Sequence, residues 1–370
     1  MPKSSNTTRC LLCDTKLVKN GKTSAGTQRW KCPSCGASSS RKREDVTRKH
    51  QLVRFLTWLC GKHAQTDLGG PSTARQFRRE TAWCWDIEPR IGPVTTTHHT
   101  ILVDGIYIGT WCLLIAVTEQ LQVLAWQWCA RESAAAWAAL LQRIPAPTVV
   151  VCDGGQGITS ALRQEWPSTR VQRCIFHVRM NLRRHLTLNP RTEAGRHLFQ
   201  IGRALSEVAT VTDAIEWQKL LNVWWQAYGR LTRERTRYRD GSWGFTHDRL
   251  RKAWNLLHSL NRKNVLFTYL EYGNARTTSP LEGGINNGIR TVLRNHRGMT
   301  EPHMKRAAEW FLTLREIPID RAYELISPPP PRPPTESIEH ADEAIAPALY
   351  DTALSAEEGL WLRAGWAGKG

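Results

Sequence analysis

No apolar run among the 370 residues approaches the roughly 20 that a membrane-spanning helix needs, and no lipidation signal is present, so a helical membrane anchor is excluded. The N-terminal stretch is polar and basic, without an apolar segment leading to a small-residue cleavage site, and the expected location is the cytoplasm, associated with the nucleoid. Acidic side chains are scarce: 33 Asp and Glu stand against 51 Lys and Arg, a formal charge of +18. The shortage is uneven. From Ser327 onward three basic residues face seven acidic ones, so residues 1–326 carry +22. An excess of that size implies a polyanionic partner, and with no membrane signal the preferred partner is double-stranded DNA. The hydrophobic share of 41% provides for a full core and two or three domains.

Ten cysteines in a reducing compartment are not expected to form disulfides. Cys10-Leu-Leu-Cys13 and Cys32-Pro-Ser-Cys35 form two knuckles at structural-zinc spacing, 18 residues apart, with Gln28–Lys31 read as a short strand leading into the second. Bound zinc would supply most of the folding energy of so short a ribbon. Lys and Arg outnumber Asp and Glu by twelve to three over residues 1–49, Arg41, Lys42 and Arg43 among them, so the ribbon lies on phosphate or docks a protein. Cys60, Cys84, Cys112, Cys129 and Cys152 sit in apolar surroundings and read as buried thiols, none a nucleophile.

Leu52, Phe55, Leu56 and Leu59 make the apolar face of a helix that Gly61 stops. A second, basic helix after Ser72 would carry Arg75, Phe77, Arg78, Arg79 and Trp83, giving a helix-turn-helix or a plain helical hairpin. Beyond Pro93 the periodicity changes to strands: Thr100–Asp104, Trp111–Thr118, Leu121–Cys129, Thr148–Asp153 and Arg170–Cys174, with helices over Glu132–Leu141 and Gln156–Glu165. Three strands able to pair as a meander, followed by alternating helix and strand, describe a mixed sheet with helices on its faces, the order found in ribonuclease H.

Two of these strands end in Asp-Gly, at Asp104 and Asp153. Asp-Gly is the commonest tight-turn pair, but these two stand where neighbouring strand ends would bring carboxylates within a few ångströms. Like charges that close call for a divalent cation between them. A third acid is Glu282, in a helix expected to begin at Ser279-Pro280, where Glu282, Asn286 and Arg290 would share one face beside an apolar stripe of Leu281, Ile285, Ile289 and Val292. Three acids suit two magnesium or manganese ions and in-line phosphoryl transfer.

Val103-Asp104-Gly105-Ile106-Tyr107, Cys152-Asp153-Gly154-Gly155, Pro280-Leu281-Glu282-Gly283-Gly284-Ile285-Asn286 and the Cys-x2-His element Cys174-Ile175-Phe176-His177 together resemble bacterial insertion-sequence transposases of the Mutator-like kind, over about residues 95–315. The resemblance implies an Asp-Asp-Glu triad of Asp104, Asp153 and Glu282 on a ribonuclease-H-like α/β fold, with Cys174 and His177 supporting the site. It also implies a helical insertion in the 128 residues between Asp153 and Glu282, binding of the element's terminal inverted repeats, cleavage and strand transfer, and at least a dimer on DNA.

That insertion reads as helical throughout, over Val178–Leu188, His197–Val208, Ala214–Leu231 and Leu250–Leu260. Arg179, Arg183 and Arg184 open a basic series read as phosphate contacts, with Asn286 and Arg290 as further candidates on the scissile strand. Trp217, Trp224, Trp225, Trp243 and Trp254 pack the core, or one of them touches bases. The expected organisation is a zinc ribbon over 1–45, a helix-turn-helix-like segment over 46–92, a catalytic domain over 93–177 and 272–326, the insertion over 178–271, and a Pro-rich linker with an acidic tail over 327–370. A nuclease or resolvase that cuts without joining, and a DNA-binding protein that has lost catalysis, are the competing expectations.

Overall fold

The computed structural model describes residues 15–24, 26–36, 38–39, 44–63, 65, 67 and 74–326. Cys10, Cys13, Arg41, Lys42, Arg43, Ser72 and everything from Ser327 on lie outside the described residues. At the N-terminal end β1 (Val18–Lys22), β2 (Gln28–Lys31) and β3 (Ser38–Ser39) form an antiparallel sheet in that order. Cys32 follows β2 directly, and the Cys35 N–H points at its Sγ at 3.5 Å.

Helix α1 (Glu44–Cys60) buries Leu52, Phe55, Leu56 and Leu59 completely, as their spacing predicts. They pack with Val292, Ala307 and Trp310 from the far end of the chain, so this core is shared between distant segments. Helix α2 (Ala74–Thr81) is short; Trp83, expected within it, falls instead in a 3-10 turn over Ala82–Asp86.

The centre is a five-stranded mixed sheet in the order β6-β5-β4-β7-β8. Strands β4 (Thr100–Ile108), β5 (Trp111–Thr118) and β6 (Val123–Cys129) are antiparallel neighbours, whereas β7 (Val149–Cys152) runs parallel to β4 and β8 (Arg170–Arg173) parallel to β7. All four side chains of Val149–Cys152 are buried, because the sheet is covered on both faces. One face packs on α3 (Ala134–Leu141) and α4 (Gln156–Glu165) through Trp137, Leu141, Ile158 and Leu162. The other receives Leu281, Ile285 and Ile289, with Ala308 and Leu312 of the last long helix.

Residues 175–272 have their own core, built from α5 (Ile175–Leu186), α6 (Glu193–Ala204), α7 (Val211–Tyr228), α8 (Asp248–Arg262) and α9 (Thr268–Tyr272). Helix α7 starts in a capping box between Thr210 and Asp213, which satisfies amides that would otherwise lack partners. Trp217 and Trp224 are buried, their indole N–H groups donating to Ile201 O at 2.8 Å and Ala194 O at 2.9 Å. Trp254 stacks on Trp225, with centroids 4.6 Å apart, while Trp243 is exposed. One expectation is corrected: the segment is not helical throughout, because β9 (Arg235–Arg237) and β10 (Trp243–Phe245) form an antiparallel hairpin. Asp240 turns it by accepting from Ser242 N and Oγ, a local bond that competes with helix.

A second correction falls on the Glu282 segment. The helix does begin at Ser279-Pro280 as expected, but it is not regular: Leu281–Asn286 is a π-turn, and the regular α-helix α10 (Asn287–Asn295) continues from it. Asn287 N–H donates to Glu282 O, five residues back, so Glu282 and Asn286 do not stack as an i, i+4 pair would. The stripe Leu281, Ile285, Ile289, Val292 is nevertheless buried as expected. Helix α11 (Glu301–Glu316) is followed by a 3-10 turn over Ile319–Leu325.

Candidate active site

Parallel pairing of β4 and β7 runs from Thr100 opposite Val149 to Leu102 opposite Val151. Asp104 and Asp153 each lie two residues further; Asp153 follows the end of β7, whereas the strand expected to end at Asp104 runs on to Ile108 along β5, so Asp104 sits in mid-strand where the pairing with β7 stops. Alternation settles which face they take: Leu102, Ile106 and Val151 point to the side of Leu281 and Ile285, so Asp104 shares the side of the π-turn.

Asn286, 2% exposed, reaches across and donates from Nδ2 to Asp104 Oδ2 at 2.8 Å. Burial, and then the charge of Glu282, pushes the Asp104 carboxyl up to about 7; Asp153 adds to the repulsion, and His177 opposes it. Asp153 is held by its own turn: Gly154 takes the left-handed conformation at φ 66°, and Gly155 N–H donates to Asp153 Oδ1 at 2.8 Å.

Glu282 Oε1 lies 3.1 Å from Thr278 Oγ1 and 3.6 Å from His177 Nε2. Thr278 is buried and also meets Cys174 Sγ, through its N–H at 3.2 Å and its hydroxyl at 3.3 Å. The single hydroxyl proton serves Cys174 or Glu282, one at a time. Burial would raise the Cys174 thiol, but hydrogen bonds from His177 and Thr278 outweigh it and the net direction is down. His177 is pushed up to about 9, first by its hydrogen bond to Cys174 and, against burial, by the charges of Cys174, Glu282 and Asp104. The ligand atoms of Cys174, His177 and Glu282 lie within 4.8 Å of one another, so the soft pair adjoins the acids. Burial pushes the thiols of Cys60, Cys84 and Cys152 up to about 12 and raises Cys112 and Cys129 as well, which makes them inert.

Two contributors escaped the sequence. Thr278 stood outside the motif, with only its place before Ser279-Pro280 as a signal. Glu132 reads as a helix residue, yet α3 begins after its Ser133 cap, which leaves Glu132 in the connection from β6. Its Oε1 is 3.8 Å from Cys112 Sγ, and burial, then the charge of Asp153, raises its carboxyl.

The basic candidates spread more widely. Arg179 donates to Ser206 Oγ at 3.2 Å and lines, with Arg183, Arg203 and the exposed Phe176 and Met180, a cavity of about 560 Å³ beginning one residue from His177. Arg184 and Arg290 are exposed, Arg290 on the turn after Asn286. Arg75 and Arg79 are exposed on α2, and Arg78 donates to Gln65 Oε1 at 2.9 Å.

Residues 110–271 match the family model for transposases of the Mutator family. This stretch is similar to the Mutator family. No curated protein matches the chain. The Mutator-family span runs from the β4–β5 turn to α9; it contains Asp153, Cys174 and His177 and stops short of Asp104 on one side and Glu282 on the other. Among the described residues no helix is long and apolar enough to cross a membrane.

Proposed function

We propose that the chain is a DNA transposase that binds the terminal inverted repeats of an insertion sequence, cuts phosphodiesters at the ends and joins the freed 3′-hydroxyls to target DNA. The observation that carries this reading is Asp104, one strand from Asp153, tied to the Glu282 segment by Asn286, within a chain whose centre is similar to the Mutator family. The order β6-β5-β4-β7-β8, with three antiparallel strands and two parallel ones, supports a ribonuclease-H-like catalytic domain over 93–177 and 272–326 with an insertion over 178–271. The antiparallel β1–β3 sheet with Cys32 and Cys35 at its end supports a zinc ribbon over 1–45.

The carboxylates of Asp104, Asp153 and Glu282 suit hard cations, and Asp104 is crowded enough to resist ionising, while the Cys174 thiol and His177 imidazole within 4.8 Å of the Glu282 carboxylate add softer donors beside them. Magnesium or manganese, held by Asp104, Asp153 and Glu282, would supply charge stabilisation at the phosphoryl group and a nucleophile at neutral pH. The chain's own residues orient these acids. Asn286 fixes one Asp104 oxygen, the Gly154–Gly155 turn fixes Asp153, and Thr278 with His177 fixes Glu282. His177, kept protonated by Cys174 and the acids, holds positive charge where a phosphodiester brings negative charge. Exposed arginines on α2 and α5 provide phosphate contacts, and two element ends call for at least a dimer.

Glu282→Gln tests the proposal. With a terminal-repeat duplex under saturating magnesium, strand cleavage should fall by orders of magnitude while duplex binding persists. Intact cleavage overturns the assignment. Joined products from pre-cleaved ends separate a transposase from a nuclease.

A further inference from the structure

Arg173 ends β8 and pairs with Cys152, one residue before Asp153. Its side chain is 8% exposed, its Nε is buried without a hydrogen-bond partner, and no described residue accepts a hydrogen bond or ion pair from its guanidinium. A guanidinium does not give up its proton, so burying one without an acceptor is unfavourable unless an anion arrives. Its position is specific. A Cβ built on Gly154 would lie 1.0 Å from Arg173 Nη1, so the glycine that turns the chain after Asp153 also leaves room for this guanidinium.

The same guanidinium lines a cavity of about 390 Å³, within the ordinary range of roughly 300–1,000 Å³ for ligand pockets. Arg163 and Lys263, both exposed, stand at its rim, Trp166 and Leu260 give it an apolar wall, and no acidic residue lines it. A cavity with one buried cation, two rim cations and no anion is complementary to phosphate, which a guanidinium can hold through two parallel N–H bonds.

We infer that this cavity is a phosphate-binding site with Arg173 as its buried anchor, and that it takes a backbone phosphate of a DNA strand passing Asp153. The choice of a DNA strand rests on the proposed function; the affinity for phosphate does not. A free phosphate compound is the other source of the same chemistry.

The test uses the full chain and two probes. Inorganic phosphate, titrated against chloride at matched ionic strength, should raise the thermal midpoint of the wild type and leave Arg173→Gln unmoved. A short single-stranded oligonucleotide should bind Arg173→Gln at least about tenfold more weakly than wild type, about 1.4 kcal/mol, whereas Arg321→Gln, which removes a charge paired with Glu324, should bind as wild type does. If phosphate has no effect on the wild type, or the same effect on both proteins, the site is refuted. Stabilisation by phosphate with unchanged oligonucleotide affinity refutes the DNA strand and leaves a free phosphate compound. Should Arg173→Gln fail to fold, the double variant Arg163→Gln, Lys263→Gln at exposed positions replaces it, and unchanged response to both probes overturns the proposal. Loss of cleavage in Glu282→Gln bears on none of these readouts, so the two proposals fail separately.

Discussion

Replacing Asp104 with asparagine should stabilise the metal-free protein at neutral pH. Burial and the neighbouring Glu282 lift the Asp104 carboxyl from 3.8 to about 7 in the folded protein. The unfolded chain gives up this proton first, so it binds fewer protons than the folded state across that window, and stability falls as pH rises through it. At about 1.36 kcal/mol per pH unit the full penalty is about 4 kcal/mol, of which about 2–3 kcal/mol falls between about pH 5 and 7.5. His177 contributes a loss of the same sign at higher pH: its raised value of about 9 stabilises the folded state below the ordinary 6.5 and ceases to as pH climbs past 9.

The assay is urea unfolding in chelator at the two pH values. Wild type should lose about 2–3 kcal/mol more than Asp104→Asn over the interval, and excess calcium should restore wild type at the higher pH while leaving Asp104→Asn unchanged. Asparagine keeps the shape and accepts the Asn286 hydrogen bond, so the comparison isolates the charge. Parallel pH profiles for the two proteins would refute the crowding of acids on which the site rests.

Thr278→Val removes the hydroxyl that serves Glu282 and Cys174 but keeps the N–H to Cys174; a bond to a charged acceptor is worth about 1.5 kcal/mol, so single-turnover cleavage should slow roughly tenfold with duplex affinity unchanged. Trp217→Ala empties a fully buried site and removes the donor to Ile201 O, and urea unfolding should report a loss of about 3–5 kcal/mol; a loss under about 1 kcal/mol would mean that Trp217 is not core. Gly288→Ala puts a Cβ 2.3 Å from the Phe311 ring where α10 meets α11, and the thermal midpoint should fall by an amount matching about 1–3 kcal/mol.

The parts of the fold legible in the sequence are those whose burial is simple. Trp111–Thr118 and Gln156–Glu165 have the bounds their apolar pattern predicts, because one is buried on both faces and the other presents a single stripe. Asp153 was legible because a strand ending in Asp-Gly leaves its acid just past the strand; Asp104 was found for a reason the structure corrects, since β4 does not end at Asp104-Gly105 but runs on to Ile108. The π-turn was not legible: Gly283 and Gly284 contribute no side chains, so nothing distinguishes a five-residue from a four-residue hydrogen-bond step there. The Arg235–Phe245 hairpin escaped because its short strands are mostly exposed and lack apolar alternation. Thr278 and Glu132 act through partners far away in the chain, and local periodicity carries no trace of such contacts.

The same kind of long-range contact explains how Glu282 reaches the site at all, since 128 residues separate it from Asp153. A disordered loop of that length would leave the acid free to wander. Here the insertion has a core of its own, and both its ends are fastened where it leaves the sheet: Arg173 N–H donates to Val265 O, Gln172 Nε2 to Leu266 O, Thr268 Oγ1 to Val171 O and Ile175 N–H to Arg276 O. Beyond that clasp, Ala275 N–H donates to the Glu119 carboxylate at the β5–β6 turn, which ties the segment to the opposite edge of the sheet. Glu282 is therefore positioned by the clasp and by the buried Leu281 and Ile285, and the length of chain between is immaterial to its place. Changes within α6 and α7 should consequently alter stability and DNA affinity, whereas removing the tie beyond the clasp through Glu119→Ala should reduce cleavage with the insertion still folded.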